Sequence, residues 1–448
     1  MARYAEGENY LLKYITEIPN DYKCAVGLIL GQISSQKYHV IHFAKTPQFQ
    51  DDENKKSGKP LETMKSISEV NDSWVADHAR QTTRMLPGGL HVLGLFLVTD
   101  EDVLNPFHSK LRSLLTAINK ILGQQNYLFG NNTNEKLILH YSGKNKRYQA
   151  KTYDVASLSV QPVDFKFIQK GSKWMTFECE YEIDHIYYLN KNDSEGPLKK
   201  HIKVILDSIN SKLNRGLILF DNDFKDVEDK IDNLYKKKKT ARGSSNKTVD
   251  HVENKPILVT ILEETALHEL PDTIELINIG GQIRIVGQVV SKTWFNSKTS
   301  IGEVIQAVKE DIMRSLATRV DMHWDSLTEE ELGEEINSVH EPPRRVLITL
   351  PECNVTISDY LFPGEGPEDV KASLEELLDI VSHGDLEVSD LEGQTDISQY
   401  YQDSTGEVES EDILPQIATD PNKFKFFLGL GTALLILFIS IIFHLVGN

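Results

Sequence analysis

The residues with chemistry to offer in this chain are few, and the densest stretch is Met85–Asp100, MLPGGLHVLGLFLVTD, where three glycines and one histidine interrupt an apolar run. Such a stretch could cradle phosphate, carry a metal ligand, or be a buried strand with no chemistry. Phosphate binding asks for glycines at a helix N-terminus, where free backbone N–H groups and the helix dipole meet the anion. Gly88-Gly89 with Gly94 is not GxGxxG, no GK[ST] follows, and Gly280-Gly281 in NIGGQIRIVG precedes a strand. Metal binding fares no better: His39 and His42 stand as HxxH, which on a regular strand sends the two rings to opposite faces, and His91 is alone on its strand. No GxSxG nucleophile elbow is present. The three cysteines, Cys24, Cys179 and Cys353, are far apart, odd in number and without a CxxC, which fits a reducing compartment and offers no disulfide framework.

The elements that hold these residues read as mixed α/β. Lys23–Phe43 gives two strands, Ala25–Gly31 and Tyr38–Phe43, about a polar turn at 34–37. A helix starts at Asn71–Ser73 and ends before Pro87. Leu90–Val98 is a strand covered on both faces, with Leu93, Leu95 and Leu97 opposite Val92, Gly94 and Phe96. Asn105-Pro106 marks a helix start, and strands follow at 136–141, 148–154 and 175–188, an α/β sheet with helices against it. After residue 190 the pattern restarts. A helix at 196–213 precedes KKKK at 236–239, read as a solvated linker rather than a nuclear signal or an acidic-lipid patch. Strands at 256–263 and 282–295 lead to a helix opened by a Ser300/Glu303 capping box, with Ile301, Val304, Ile305, Val308, Ile312 and Leu316 as its apolar stripe. Strands at 345–350 and 355–362 and a helix at 368–380 complete a second α/β or α+β domain.

The strand-turn-strand VGLILGQISSQKYHVI, then a helix, a glycine turn and HVLGLFLVTD resemble the MPN domain, a fold found in metal-dependent deubiquitinating proteases and their inactive scaffold relatives. The resemblance implies a Glu ahead of the first-strand glycine, two His on the later strand and an Asp beyond them. Matched residue by residue, those positions hold Cys24, Leu97, Thr99 and Lys110. Zinc needs His or carboxylate ligands and a base to activate water, and leucine and lysine supply neither. The implied state is a catalytically inactive MPN-like domain, without catalytic residue, metal or cofactor.

A closer resemblance lies in GLILGQISSQK, WVADHARQTTRMLPGGLHVLGLFLVTD and an apolar C-terminal tail, which together are similar to the odorant-response-abnormal protein four family. That resemblance implies a role in trafficking G-protein-coupled receptors from the endoplasmic reticulum, and in holding a ubiquitin-fold-modifier-specific cysteine protease at that membrane. The competing expectation is a hydrolase with a noncanonical site using His39, His42, His78 or Cys24.

Charge and hydropathy place the chain. The net charge is −19, but 14 carboxylates fall between Lys371 and Lys423, where no Lys or Arg occurs, so the rest carries only −5. That distribution argues against nucleic acid as a partner. Phe426–Phe443, FFLGLGTALLILFISIIF, is 18 residues without a charge, close to the ~20 that a helix needs to cross the hydrocarbon core. Lys423 and Lys425 precede it and the N-terminus lacks a secretory signal, so the positive-inside tendency leaves the bulk of the chain in the cytosol. The reading is therefore an MPN-like domain over 1–190, a second domain over 191–383, an acidic flexible linker over 384–423, and a transmembrane helix over 424–446. Taken with the family resemblance, this reading implies a single-pass, tail-anchored adaptor at the endoplasmic reticulum membrane.

Overall fold

A computed structural model describes residues 3–392, apart from 21, 35–36, 50–63, 125–126, 129–132, 170–172, 192–197, 237–254, 264–277, 330–338, 351 and 382–386. The expected span at 424–446 lies outside these residues, as do most of the acidic linker and Lys237–Lys239. Among the described residues no helix is long and apolar enough to cross a membrane. Residues 1–396 form one compact unit.

The first strands do not form the open sheet that their order suggests; they close into a seven-stranded barrel. Its strands are β1 (Arg3–Glu8), β2 (Cys24–Ser34), β3 (Lys37–Lys45), β4 (His91–Thr99), β5 (Glu135–Ser142), β6 (Arg147–Asp154) and β7 (Val160–Ile168), in the order β1-β3-β2-β4-β5-β6-β7. Closure comes from two strands that the pattern reading passed over. β1 pairs in parallel with β3 on one side and β7 on the other, which removes both free edges. A cluster drawn from all seven strands fills the interior, including Ala5, Ile29, Val40, Phe96, Leu139, Ala150 and Phe165. Leu11 and Ile15 of α1 (Asn9–Glu17) join it.

Outside the barrel, α2 (Asp72–Met85) and α3 (Ser109–Leu122) share a second cluster with the opposite faces of β2 and β4. Asn71 caps α2 as its residue type and position demand, its side chain accepting from the Ser73 and Trp74 backbone N–H groups. The start of α3 is a correction. Asn105-Pro106 makes a turn that bridges Leu104 to Phe107, and His108 is the cap, its Nδ1 accepting from Lys110 N at 3.2 Å.

Two bulges re-aim the strands and overturn the simple alternation expected of them. On β4 the pairing with β2 slips between Ile29/Gly94 and Leu30/Val92. Leu93 therefore joins Phe96 and Val98 in the interior, while Val92, Leu95 and Leu97 face the helices. Gly94 permits this close approach, since a Cβ there would lie 1.8 Å from the Leu137 carbonyl oxygen. On β3 the slip falls at Ile41.

A five-stranded sheet follows, in the order β10-β9-β11-β8-β12, from β8 (Trp174–Asn190), β9 (Leu217–Phe220), β10 (Asp223–Phe224), β11 (Ile257–Leu262) and β12 (Ile279–Asn296). β8 ends at the expected boundary of 190, yet it pairs with β12 along its whole length. One face of the sheet packs on α4 (Leu198–Arg215) and on the N-terminal half of the long helix beyond α5 (Ile231–Lys236), which is α6 (Ile301–Glu329). The capping box is present: Ser300 N donates to Glu303 Oε2 at 3.0 Å and Glu303 N to Ser300 Oγ at 3.3 Å. The last elements are β13 (Arg344–Thr349), β14 (Thr356–Leu361), α7 (Pro367–Leu378) and the short β15 (Val388–Ser389), with the three strands in one sheet.

Candidate functional site

The four positions matched to the catalytic motif are partly brought together. Cys24 and Thr99 are direct cross-strand neighbours on β2 and β4, and Leu97 pairs with Val26 on the same face. Cys24 and Leu97 are fully buried in one hydrophobic cluster. Burial, with Glu101 and Glu69 adding to it, pushes the Cys24 thiol up to about 12, so it is protonated and unreactive at neutral pH. Lys110 sits apart in the first turn of α3, its Nζ 2.8 Å from Asp72 Oδ1. The set thus brings together none of the His and carboxylate groups that the motif uses as ligands and base.

The histidines are engaged elsewhere. His39 Nδ1 lies 2.8 Å from Glu6 Oε1, with its ring edge-on to Trp174. Because of the bulge at Ile41, His42 does not point away from this side. Its Nε2 reaches the Leu378 carbonyl at 2.8 Å, and Leu378 and Trp174 belong to the same cluster. His78 Nε2 holds the adjacent Leu377 carbonyl at 2.8 Å, while its Nδ1 meets Thr46 Oγ1 at 3.1 Å. Two imidazoles thus take the last carbonyls of α7, groups that a helix leaves without intrahelical partners. Asp379 follows in the left-handed conformation, φ 55°, and its carboxylate receives the Tyr14 hydroxyl at 2.7 Å and Lys45 Nζ at 3.0 Å. This clasp fastens α7 to the barrel. Burial lowers the pKa of both rings, His78 to about 4, so both are neutral and the Nε2–H donates to the carbonyl. Beside the clasp, α2 and α7 border a cleft of about 380 Å³ lined by Pro47, Trp74, Asp77, His78, Glu376 and Leu377 among others.

The glycine turn has a different task from any expected of it. Gly88 N donates to Asp311 Oδ1 at 2.7 Å, and Gly88 lies against α6 so closely that a Cβ would sit 2.0 Å from the Ala307 carbonyl oxygen. Gly89 adopts φ +81°, which glycine accepts without strain. Arg314, 1 % exposed, donates through Nη1 to the Leu86, Pro87 and Leu90 carbonyls at 2.7, 3.0 and 3.3 Å. Asp311 in turn takes Arg345 of β13 in a two-point pair at 2.8 and 2.9 Å, with both side chains buried. Burial opposes ionisation of Asp311, but Arg345, with Ser291 and Arg314, more than offsets it and the carboxyl is held below its ordinary value. One polar knot therefore ties the barrel, α6 and the three-stranded sheet. Sequence reasoning missed it, although Asp311, Arg314, Ser315 and Thr318 recur at helical spacing on α6, along one flank of its apolar stripe.

The hydroxyl and imidazole that do meet, Thr46 and His78, are both buried, and among the described residues no group of three or more His, Cys, Asp and Glu side chains gathers at a metal-binding distance. The features that the geometry does offer are fastened surfaces.

Comparison with known proteins agrees on a family. Relatives named protein odr-4 homolog include a human protein, 30 % identical over 402 residues, covering 86 % of this chain and 86 % of the relative. One from Drosophila melanogaster is 24 % identical and covers 97 % of both, and one from Dictyostelium discoideum is 24 % identical over 80 % of this chain and 75 % of that one. Among solved structures, UfSP from C. elegans aligns with a TM-score of 0.43 at 10 % identity, covering 86 % of this chain, which spans 58 % of that chain. The family model described as odorant response abnormal 4-like matches residues 27–387. On that match and the human relative, the chain belongs to the ODR4-like family.

Proposed function

We propose that the protein is a non-enzymatic adaptor anchored at the endoplasmic reticulum membrane by residues 424–446, with its barrel an MPN-like scaffold that has no metal centre. Its partners in this reading are a ubiquitin-fold-modifier-specific cysteine protease, which it holds at the membrane, and G-protein-coupled receptors as trafficking clients. The observation that carries the reading is the chemistry of the Cys24, Leu97, Thr99 and Lys110 set: a thiol pushed up to about 12, a buried leucine, a threonine, and a lysine paired with Asp72. A hydrolase built on these positions would lack the motif's His and carboxylate groups, its ligands and its base. Family membership supports the localisation role, and the 18-residue uncharged run at 426–443 supports the anchor. An anchor concentrates a partner at the membrane without new contacts.

The test is to follow the protease in cells that lack the chain. Full-length chain should return the protease to the endoplasmic reticulum membrane, and chain ending before Phe424 should bind it in the cytosol without returning it. Protease that stays at the membrane in the absence of the chain would overturn the reading.

A further inference from the structure

The five-stranded sheet packs one face on α4 and α6, and among the described residues its other face is covered at the β8–β12 end, where Trp174 and Trp294 are buried, but not over β9, β10 and β11. Phe177, Tyr181, Ile218, Phe220, Val259 and Val289 point into the cluster shared with α4 and α6. Strict alternation then puts Leu217, Leu258, Leu262 and Phe224 on the other face, and these are 60, 54, 47 and 65 % exposed. The register gathers them. Leu262 stands opposite Leu217, and Phe224 opposite Leu219. Contiguous apolar side chains left in water on one sheet face mark a surface that something else covers.

The neighbouring strand says what kind of surface would cover it. Leu258 pairs with Glu178 of β8, and the same face of β8 continues through Glu180, Glu182 and Asp184. Lys292 answers Glu178 at 2.9 Å and Arg284 answers Asp184 in a two-point pair at 2.9 and 3.0 Å. Glu180 receives only the neutral Gln288 amide at 3.3 Å, and Glu182 is exposed with no cation beside it among the described residues. The face is thus an apolar strip bordered by two uncompensated carboxylates. A second copy of this acidic chain would bring more negative charge to that border.

We infer that the outer face of β9, β10, β11 and β8 is a docking surface for a protein partner that presents apolar side chains flanked by Lys or Arg. The inference rests on the adaptor reading only in requiring a protein partner, not in which protein it is. Apolar burial would supply affinity, and the Glu180–Glu182 border would set orientation and association rate.

Photocrosslinking tests it in the full-length chain within the cells that make it. Benzoylphenylalanine replaces Leu258 or, as a control, the exposed Glu375 of α7; the same residue at 217 repeats the test should position 258 disturb the sheet. Adduct at 258 should exceed that at 375 by about tenfold, and should join a segment of another protein carrying Lys or Arg beside apolar residues. It should fall by about tenfold when Glu180→Lys and Glu182→Lys are added. Equal adduct at 258 and 375, adduct to lipid or to a second copy of the chain, or adduct indifferent to the charge reversal would overturn the inference. Protease recruitment is scored in the same cells. Recruitment lost with the adduct intact fails the choice of partner, whereas recruitment intact without adduct fails this face.

Discussion

Removing the Asp311 carboxylate should loosen the whole described fold, because three elements converge on it. In Asp311→Ala the Arg345 guanidinium, 3 % exposed, keeps its charge without its two-point partner, and Gly88 N loses its acceptor. Breaking a buried ion pair by deleting one member costs about 3–5 kcal/mol, and orphaning a buried N–H costs ~1–3 kcal/mol more when nothing relaxes. A net loss of about 4 kcal/mol is expected, a large share of the ~5–15 kcal/mol that holds a typical protein folded. The assay is pulse proteolysis of the full-length chain across a urea series, for wild type, Asp311→Ala, Arg345→Met and the double variant. The double variant should be more stable than the sum of the singles predicts by roughly 2–3 kcal/mol, since neither partner then leaves a buried charge. Loss of under about 1 kcal/mol in Asp311→Ala, or additive singles, would refute the knot as a stabilising unit.

Three further outcomes follow from the same geometry. The clasp on α7 should weaken in acid. Folding keeps His78 neutral to about pH 4 while the unfolded ring protonates near 6.5, so this stability is present above pH 6.5 and lost as pH falls toward 4. About 2 kcal/mol should be gone at pH 5, read as amide protection in the last turn of α7, and His78→Gln should flatten that slope; equal slopes would refute it. Leu97→His with Thr99→His should destabilise the barrel by about 1–3 kcal/mol, because an imidazole replaces a fully buried leucine, and the purified variant should still cleave no modifier conjugate, since Cys24 and Lys110 supply no carboxylate; cleavage would refute it. Chain isolated from native membranes should show no glycosidase shift despite sequons beginning at Asn71, Asn131, Asn192, Asn246 and Asn354; a shift would place these residues in the lumen and contradict the proposed topology.

Much of the fold is written in local pattern. The helix opened by Asn71, the long strand after Gly89 and the Ser300/Glu303 box fall where caps, apolar runs and turn residues put them. The missed parts depend on distant partners. β1 is a short strand with a glycine and two glutamates, and its pairing with β3 and β7 decides its conformation. β7 does alternate, with Val163 and Phe165 turned inward, but Pro162 discourages reading it as a strand. The bulges at Ile41 and Leu93 are register effects, and only Gly94 hints at one of them. For the candidate site, the residue types Cys24, Leu97, Thr99 and Lys110 depart from the motif wherever they lie, and that departure is legible in the sequence. The sequence hid what is present. Asp311 and Arg314 read as solvated charges on a helix, and only the packing of Gly88 against Ala307 explains why they are buried.

The central claim is that this barrel binds and does not cut. Full-length chain purified without chelators should be assayed for metal content, then incubated alone with a conjugate of the ubiquitin-fold modifier, beside a modifier-specific protease as positive control. The account predicts no stoichiometric zinc and no cleavage by the chain alone. One zinc per chain together with cleavage that a chelator abolishes would contradict it.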